Sequence, residues 1–234
     1  MGIRLETLVS CVPPCRRVVD VGCDHGYTSL MLARRGDVSE IFATDISASS
    51  LDKLVRQLPF EKEADRARIH PVVCDGLHGL PCRDAEVLLI AGMGGDLILR
   101  ILDEEEPFVS RTARLVLSPH TAADRVRKYL RAHGFCIVEE HPVWEEGHYY
   151  DIIVAEPQSE TEAAADDPMG DRYGRLAIEN RDPVLHRRLQ DEQRALQELI
   201  EKLTPKLGTS EHPRIGELKR ERDALSRLLK EWDK

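Results

Sequence analysis

The stretch VVDVGCDHGYTSL (residues 18–30) carries the strongest structural signal in the chain. It begins as a β-branched apolar run, turns at two glycines and continues as a helical pattern. A strand that turns at glycines into a helix is typical of nucleotide-binding α/β folds, where bare backbone and free N–H groups approach the ligand. Asp24, however, stands where a pyrophosphate cradle has glycine. The stretch therefore predicts a cofactor turn of a different chemistry.

The alternation of strand and helix continues along the chain. Strands are predicted at 17–22, 40–46, 68–75, 86–93, 113–119, 135–144 and 148–157, and helices at 4–12, 26–36, 48–58, 96–106 and 121–134. Ser47 is expected to cap the third helix, and Pro71 suggests an edge strand or a bulge. Only three residues separate the last two strands, which favours an antiparallel hairpin. We expect an α/β fold with a doubly wound, seven-stranded, mostly parallel sheet that ends in an antiparallel hairpin.

Three parts are predicted: a catalytic domain at 1–157, an acidic linker at 158–170 and a helical domain at 171–234. Apolar residues recur at helical spacing in two stripes of the last part: Leu185, Leu189, Leu196, Ile200, Leu203, Leu207, then Ile215, Leu218, Leu225, Leu228, Leu229, Trp232. Gly208 and Pro213 lie between the stripes. This pattern predicts a coiled-coil-like helical hairpin, which either forms a homodimer or stabilises the fold, or grips a large substrate.

Composition sets the broad class. The 234 residues carry a net charge of −9, but residues 171–234 hold 15 basic and 13 acidic side chains, so nucleic-acid contact is easier to place there. The six cysteines form no CxxC pair, and no metal is expected. No apolar run of about 18 residues and no signal-peptide pattern is present, so we expect a cytoplasmic protein without a membrane span.

Carboxylates end three successive strands, which in such a sheet share one edge. Asp20 lies near the end of the first strand and Asp24 follows it, Asp45 ends the second strand and Asp75 the third. Asp45 could accept ribose hydroxyls, and Asp75-Gly76-Leu77 could bind an adenine edge. A carboxylate at position 24 repels a diphosphate but tolerates an amine and a sulfonium cation, which S-adenosylmethionine carries. The alternative is that Asp24 only caps the following helix.

The motifs DVGCDHGY (20–27), DGL (75–77), AGMGG (91–95) and YDIIVAEP (150–157) resemble the bacterial tRNA adenine-N1 methyltransferases that modify adenine 22 of the D-loop. These belong to the class I S-adenosylmethionine-dependent methyltransferases. The typical motif of the family reads DIGSDHAY, and the resemblance spans roughly residues 3–157. Two segments depart from it: Ser118-Pro119-His120 stands where the family often has Gln-Pro-Asn, and Tyr173-Gly174-Arg175 matches the family's Gly-Pro-Phe-like segment only weakly.

Fold, residues and resemblance together give the candidate site. Cofactor binding is expected from Asp20, Gly22, Asp24, His25, Gly26, Asp45, Ile46, Asp75, Gly76, Leu77, Ala91, Gly92 and Met93. Catalysis is expected at Asp24, Met93 and Gly94, and RNA contacts at Arg172, Arg175, Arg187 and Arg188. His25 could orient Asp24, bind the cofactor or serve structure alone, and His120 is not assigned a catalytic role.

The resemblance implies S-adenosylmethionine as cofactor, tRNA as partner and methyl transfer to N1 of an adenine, most consistently adenine 22. Two alternatives stay open. One is a methyltransferase of this fold with another RNA or a small-molecule acceptor. The other is a non-catalytic RNA- or protein-binding module, against which the intact set of carboxylates argues.

Overall fold

The computed structural model describes residues 2–158, 167–207 and 212–232. The strands are β1 (Cys15–Val21), β2 (Val38–Asp45), β3 (Ile69–Val73), β4 (Val87–Met93), β5 (Arg114–Pro119), β6 (Phe135–Glu145) and β7 (His148–Pro157). The helices are α1 (Ile3–Ser10), α2 (Tyr27–Arg35), α3 (Ala48–Gln57), α4 (Glu63–Arg66), α5 (Gly95–Glu104), α6 (Glu106–Val109), α7 (Ala123–Ala132), α8 (Pro168–Tyr173), α9 (Arg175–Glu179), α10 (Pro183–Leu207) and α11 (Pro213–Trp232).

The seven strands form one sheet in the order β3-β2-β1-β4-β5-β7-β6. All pairs are parallel except β5–β7 and β6–β7, so β7 is the antiparallel strand. Strand order reverses between β1 and β4, which places the ligand crevice of such a sheet at their carboxyl ends. The predicted fold is confirmed, and Pro71 lies on the edge strand β3, where its missing N–H costs no ladder bond.

Both faces of the sheet are covered by helices, which explains the nearly continuous apolar runs of the central strands. Side chains alternate between two cores, because neighbours on a strand point to opposite faces. Val18 and Leu89 belong to the core that also holds Leu8, Leu32 and Leu54. The second core contains these members: Val19, Leu88, Ile98, Leu102, Val126 and Leu130.

Several helix boundaries differ from the predictions. The helix predicted at 96–106 is interrupted at Glu105, where the backbone leaves helical geometry, and α6 follows with Pro107 in its first turn. The third predicted helix ends at Gln57, and Ser47 caps it as expected, since its side chain accepts a hydrogen bond from the N–H of Ser50. The short helix α4 was not predicted, because one turn is too short to show a periodic apolar pattern.

The chain divides into two compact units, Met1–Leu176 and Ala177–Lys234. Residues 159–166 of the predicted linker lie outside the described residues, and α8 begins inside the segment predicted as linker. The second unit contains α10 and α11, which run antiparallel, since Gln193 contacts Ser226 and Gln197 contacts Arg222. Ile200, Ile215 and Leu218 pack between them.

The second unit therefore has the predicted helical hairpin. Gly208 lies outside the described residues, as does the side chain of Leu207, and Pro213 is the first residue of α11. None of the helices in the described parts of the chain is long and apolar enough to cross a membrane.

Candidate active site

The turn after β1 is built from residues in the left-handed backbone region. Gly22 has φ +69°, Asp24 +47° and Gly26 +69°. The two glycines adopt this geometry without penalty, whereas in Asp24 it costs on the order of 1 kcal/mol, and aspartate is among the residues that tolerate it best. Gly26 is the N-cap of α2, and no side chain caps this helix. The interpretation of Asp24 as a helix cap is therefore wrong.

Asp20 points into the protein. It is 2% exposed, and its Oδ2 accepts a 2.6 Å hydrogen bond from the hydroxyl of Ser29 in α2. Burial raises the pKa of the Asp20 carboxyl to about 6, while hydrogen bonds from the hydroxyl and backbone of Ser29 lower it. This carboxylate thus joins β1 to α2 below the turn.

The end of β2 is tied to the turn by hydrogen bonds. The N–H of Cys23 donates to the carbonyl of Thr44 at 2.8 Å, and the N–H of Asp24 donates to Asp45 Oδ2 at 3.1 Å. The other carboxylate oxygen of Asp45 accepts from the N–H of Ser47 at 2.8 Å. Ile46, beside it, is 67% exposed. The end of β2 therefore offers a fixed carboxylate next to an uncovered apolar side chain.

The end of β3 offers a second carboxylate. Asp75 is half exposed and forms a 3.1 Å ion pair with Arg100 of α5, a partner that the sequence did not reveal. Gly76, at φ +60°, lies against Ile101, and Leu77 is buried in the core below α5. Leu77 therefore acts on any ligand only through its backbone, whereas Asp75 faces solvent.

The loop after β4 lies over the β1 turn. A β-carbon on Gly22 would stand 2.6 Å from the methyl carbon of Met93, which therefore packs directly over this glycine, and the φ of +69° at Gly22 favours glycine there. Gly92, at φ +80°, faces open space, and Ala91 is half-buried at the bulge where β4 and β5 shift register. Gly94 is the N-cap of α5.

The loop after β5 is joined to the same loop. The N–H of His120 donates to the carbonyl of Met93 at 2.9 Å, and the N–H of Gly95 donates to the carbonyl of Thr121 at 2.9 Å. A β-carbon on Gly95 would stand 2.5 Å from that carbonyl, so this glycine is also required by close packing. The ends of β1, β2, β4 and β5 thus form one connected rim.

Asp24 presents its carboxylate to solvent at this rim. Its side chain is 61% exposed and lies 3.4 Å from His25 Nε2 and 3.8 Å from Lys53 Nζ. Lys53 Nζ lies 3.0 Å from the same His25 nitrogen, and the ring of Tyr27 stacks on His25 at 5.5 Å. Sequence reasoning missed Lys53 and Tyr27, because Lys53 reaches the site from α3 and carries no motif. The cluster is a polar, partly acidic surface in which Lys53 lies against both Asp24 and His25.

The cysteine of the turn is not a nucleophile candidate. Burial raises the pKa of the Cys23 thiol, and the nearby carboxylates of Asp20, Asp45 and Asp24 raise it further. A protonated thiol is a poor nucleophile.

The predicted RNA-binding arginines are divided between the two units. Arg172 and Arg175 belong to the first unit, and Arg187 and Arg188 to the second. The guanidinium of Arg172 lies over the ring of Tyr173 at 5.0 Å. Arg187 and Arg188 pair with Asp191 at 3.9 Å and Glu192 at 3.0 Å. These pairs are the ordinary i,i+4 contacts of a helix surface.

One group elsewhere has the ligand types of a metal site. Cys11, Glu139 and His141 place ligand atoms within 4.8 Å of one another. Glu139 already accepts hydrogen bonds at 3.0 Å from the guanidinium of Arg114, and burial raises the pKa of the Cys11 thiol to about 11. Both features oppose cation binding, since a ligating thiol must lose its proton and the guanidinium competes for the carboxylate.

The fold and the rim define a class I methyltransferase, in which a parallel sheet with an antiparallel seventh strand presents its cofactor edge at the β1–β4 switch point. Residues 1–153 match the family described as "Methyltransferase domain". The tRNA (adenine(22)-N(1))-methyltransferase of Bacillus subtilis is 29% identical over 153 residues, which are 65% of this chain and 63% of that protein. A Mycoplasma pneumoniae protein named "Putative tRNA methyltransferase" is 30% identical over 160 residues, 67% of this chain and 71% of its own length.

Similarity of structure extends further along the chain. A Streptococcus pneumoniae protein, described as "a putative tRNA (m1A22) methyltransferase", superposes with a TM-score of 0.86 at 26% identity and covers 98% of this chain and 99% of its own. The same protein in complex with S-adenosyl-L-methionine superposes with a TM-score of 0.81 at 27% identity, covering 97% and 98%. This chain belongs to the methyltransferase-domain family.

In sequence, the match spans somewhat less than two thirds of the length of the Bacillus subtilis relative.

Proposed function

We propose that the protein transfers a methyl group from S-adenosylmethionine to N1 of an adenine in tRNA, with adenine 22 of the D-loop as the target. The observation that carries the proposal is the exposed carboxylate of Asp24 on a glycine turn, beside the Met93-Gly94 loop and above the switch point of the sheet. The names of the relatives support the choice of tRNA. A tRNA-modifying enzyme of this kind acts in the cytoplasm.

The residues of the rim fit this cofactor. The left-handed glycine Gly92 leaves backbone uncovered, and the two carboxylates of Asp24 and Asp45 favour a ligand with cationic groups. Ile46 offers an exposed apolar face beside Asp45, as the face of a base requires. We assign the ribose to Asp45, the adenine to Ile46 and the Asp75-Gly76 turn, and the methionyl end to the turn that carries Asp24, His25 and Gly26.

When bound, this cofactor supplies an electrophilic methyl group on a sulfonium centre. The N1 lone pair of adenine lies in the plane of the ring and needs no deprotonation, so the protein's task is to align the flipped base and exclude water. Methylation leaves a positive charge on the base unless the exocyclic amine loses a proton. Asp24 can stabilise that charge or accept the proton, and Lys53, 3.8 Å away, helps to hold the carboxylate in place.

The Met93-Gly94 loop contributes shape instead of acid–base chemistry. Met93 has an apolar side chain packed over Gly22, and Gly94 has none, so the base meets backbone groups and a flat surface. We assign both residues to close approach of the base, which leaves Asp24 as the carboxylate that acts on it.

The test is incubation of the protein with unmodified total tRNA and radiolabelled S-adenosylmethionine, followed by nucleoside analysis and mapping of the modified position. We expect 1-methyladenosine at position 22. Label in another nucleoside, in a small acceptor, or in no product despite cofactor binding would contradict the proposal, and the last result would favour a binding module. A homodimer through the C-terminal helices also stays a prediction, which sedimentation of the protein with and without tRNA tests.

A further inference from the structure

Beside the candidate methyl-transfer loop lies a cluster of Arg4, His120, Glu145 and Tyr150 that the proposed mechanism does not use. Its position is set by the hydrogen bond from the N–H of His120 to the carbonyl of Met93, at 2.9 Å. His120 therefore lies directly beside the loop that we assign to the target base.

The side chain of Arg4 determines the protonation pattern of this imidazole. Arg4 Nη1 lies 3.1 Å from His120 Nε2. A guanidinium can only donate hydrogen bonds, so Nε2 must be the acceptor, and the proton of the neutral ring must be on Nδ1. Burial and the positive charge of Arg4 both lower the pKa of His120, which keeps the ring neutral.

Arg4 itself is held from two sides. Its backbone N–H donates to Glu145 Oε1 at 3.1 Å, and its Nε lies 3.9 Å from Glu145 Oε2. Its guanidinium lies over the ring of Tyr150 at 4.7 Å, and the same ring packs against His120 at 5.5 Å. Glu145, Arg4 and His120 thus form a continuous series of polar contacts that runs from the β6–β7 hairpin through α1 to the end of β5.

The last group of this series, the Nδ1–H of His120, is a hydrogen-bond donor. In the three described segments of the chain, no protein group is hydrogen-bonded to His120 Nδ1, and the residue is exposed at the rim. A neutral N–H donor beside the base site complements an unprotonated ring nitrogen. In adenine, N1 must stay free for methylation, so the acceptors that remain in the plane of the ring are N7 and N3.

We infer that His120, in the Nδ1–H tautomer imposed by Arg4, positions the target adenine by donating a hydrogen bond to N7 or N3. His120 is a positioning residue that holds the base in register, with no part in proton transfer at N1. The inference rests on the proposed function, because it needs an adenine in the site.

The test compares tRNA transcripts that carry adenosine, 7-deazaadenosine or 3-deazaadenosine at the methylated position. These analogues replace one ring nitrogen by C–H and remove one acceptor each. Since the intrinsic reactivity of N1 differs among them, the readout is kcat/KM for each analogue relative to adenosine, compared between the wild type and His120→Ala. Thermal unfolding and S-adenosylmethionine affinity serve as folding controls.

With the wild type, we expect kcat/KM for one of the two analogues to fall about five- to tenfold below the value that its intrinsic reactivity gives. This is the range of one neutral hydrogen bond. His120→Ala should lose the same factor with adenosine and should no longer distinguish that analogue. His120→Asn, whose amide also accepts from Arg4 and donates from its nitrogen, should recover most of the rate and the discrimination.

The tautomer provides an independent readout. Nitrogen NMR of the wild-type ring should show a proton on Nδ1, Arg4→Lys should preserve it, and Arg4→Met should shift the ring toward the Nε2–H form. Equal discrimination by wild type and His120→Ala, or an Nε2–H ring in the wild type, would overturn the inference. If the wild type methylates no adenosine transcript, the proposed function itself fails, which is a distinct result.

Discussion

Asp24 combines a strained backbone with an exposed charge. Its backbone is left-handed, with φ +47°, its carboxylate does not cap the helix that follows, and its N–H donates to Asp45. A helix cap would have pointed forward along the chain into the first turn of α2, whose N-cap is Gly26 instead. The exposed carboxylate, with Lys53 beside it at 3.8 Å, supports the proposed role toward ligands.

Replacement of Asp24 by asparagine tests that role. Asparagine tolerates the left-handed region as well as aspartate, so the turn should persist. We expect S-adenosylmethionine affinity within a few-fold of the wild type and a fall in kcat of about 100-fold, the scale of one acid–base or electrostatic group. Titration calorimetry and single-turnover methylation measure the two. Asp52→Asn on the exposed side of α3 is the matched control, and normal turnover of Asp24→Asn would refute the assignment.

Asp20 gives a prediction in pH. Its folded-state pKa, about 6, lies above the ordinary value of 3.8, so the folded state binds the proton more tightly than the unfolded state does. The buried charge therefore costs stability above about pH 6, and the cost is relieved as pH falls toward about 4.

Asp20→Asn removes this dependence while keeping an acceptor for Ser29. The free energy of unfolding of the variant, relative to that of the wild type, should therefore be higher at neutral pH than at pH 4. The difference between the two curves should change by on the order of 3 kcal/mol, from about 1.4 kcal/mol per pH unit. Denaturant unfolding at several pH values measures this difference. If the free energies of unfolding of the two proteins vary with pH in the same way, the Asp20 carboxyl is not the cause of the pH dependence.

At the scale of elements, a buried ion network holds the segment that follows the sheet. Arg127 of α7 is 1% exposed and contacts Glu140 at 2.6 Å and Asp151 at 3.2 Å, on β6 and β7. It also donates to the carbonyl of Asp171 in α8 at 3.1 Å. Glu140 in turn accepts from the N–H of Leu176 at 2.8 Å. One guanidinium thus joins four elements, which explains why α8 belongs to the first unit.

Arg127→Met should destabilise the protein by about 3–5 kcal/mol, because two carboxylates would stay buried without the positive charge of this guanidinium. Arg125→Met is the matched control on the same helix: Arg125 is exposed and pairs with Asp96 at the surface. Such surface pairs contribute about 1 kcal/mol or less, so the control should unfold close to the wild type. Equal losses in the two variants would contradict the buried-network account.

At the scale of the whole molecule, the proposed function requires a surface that binds tRNA. The first unit includes the buried residues Asp171 and Tyr173, so a truncation must end at Leu176 to leave that unit intact. We expect a chain ending there to keep its S-adenosylmethionine affinity within about threefold and to lose at least about tenfold in tRNA affinity. Calorimetry and filter binding measure the two. Unchanged tRNA affinity would show that the helical hairpin is not the grip.

The full-length chain offers a second test of the same surface. Arg187 is more than half exposed on α10, and Arg187→Gln should lower the slope of log affinity against log salt by about one, as expected for one lost phosphate contact. Arg214→Gln on α11, equally exposed, is the matched control. An unchanged slope for Arg187→Gln would show that this arginine makes no phosphate contact.

By itself, the sequence determined the fold class, the sheet with its antiparallel end, the helical hairpin and the turn at residues 22–26. These features follow from local patterns: apolar runs with buried neighbours on both faces, glycines in left-handed positions and leucines at helical spacing. Such patterns are written in residues close together in the chain, where period and turn chemistry act directly.

Only the tertiary structure decided which side chains meet. Four contacts at the rim join residues from distant segments of the chain: Lys53 with Asp24, Arg100 with Asp75, Arg4 with His120 and Met93 with Gly22. It also showed that Asp20 faces inward and that Asp24 does not cap the helix. The physical reason is that the sheet brings the ends of strands far apart in sequence to one rim. Side-chain partners there depend on packing between elements, and no local pattern encodes them.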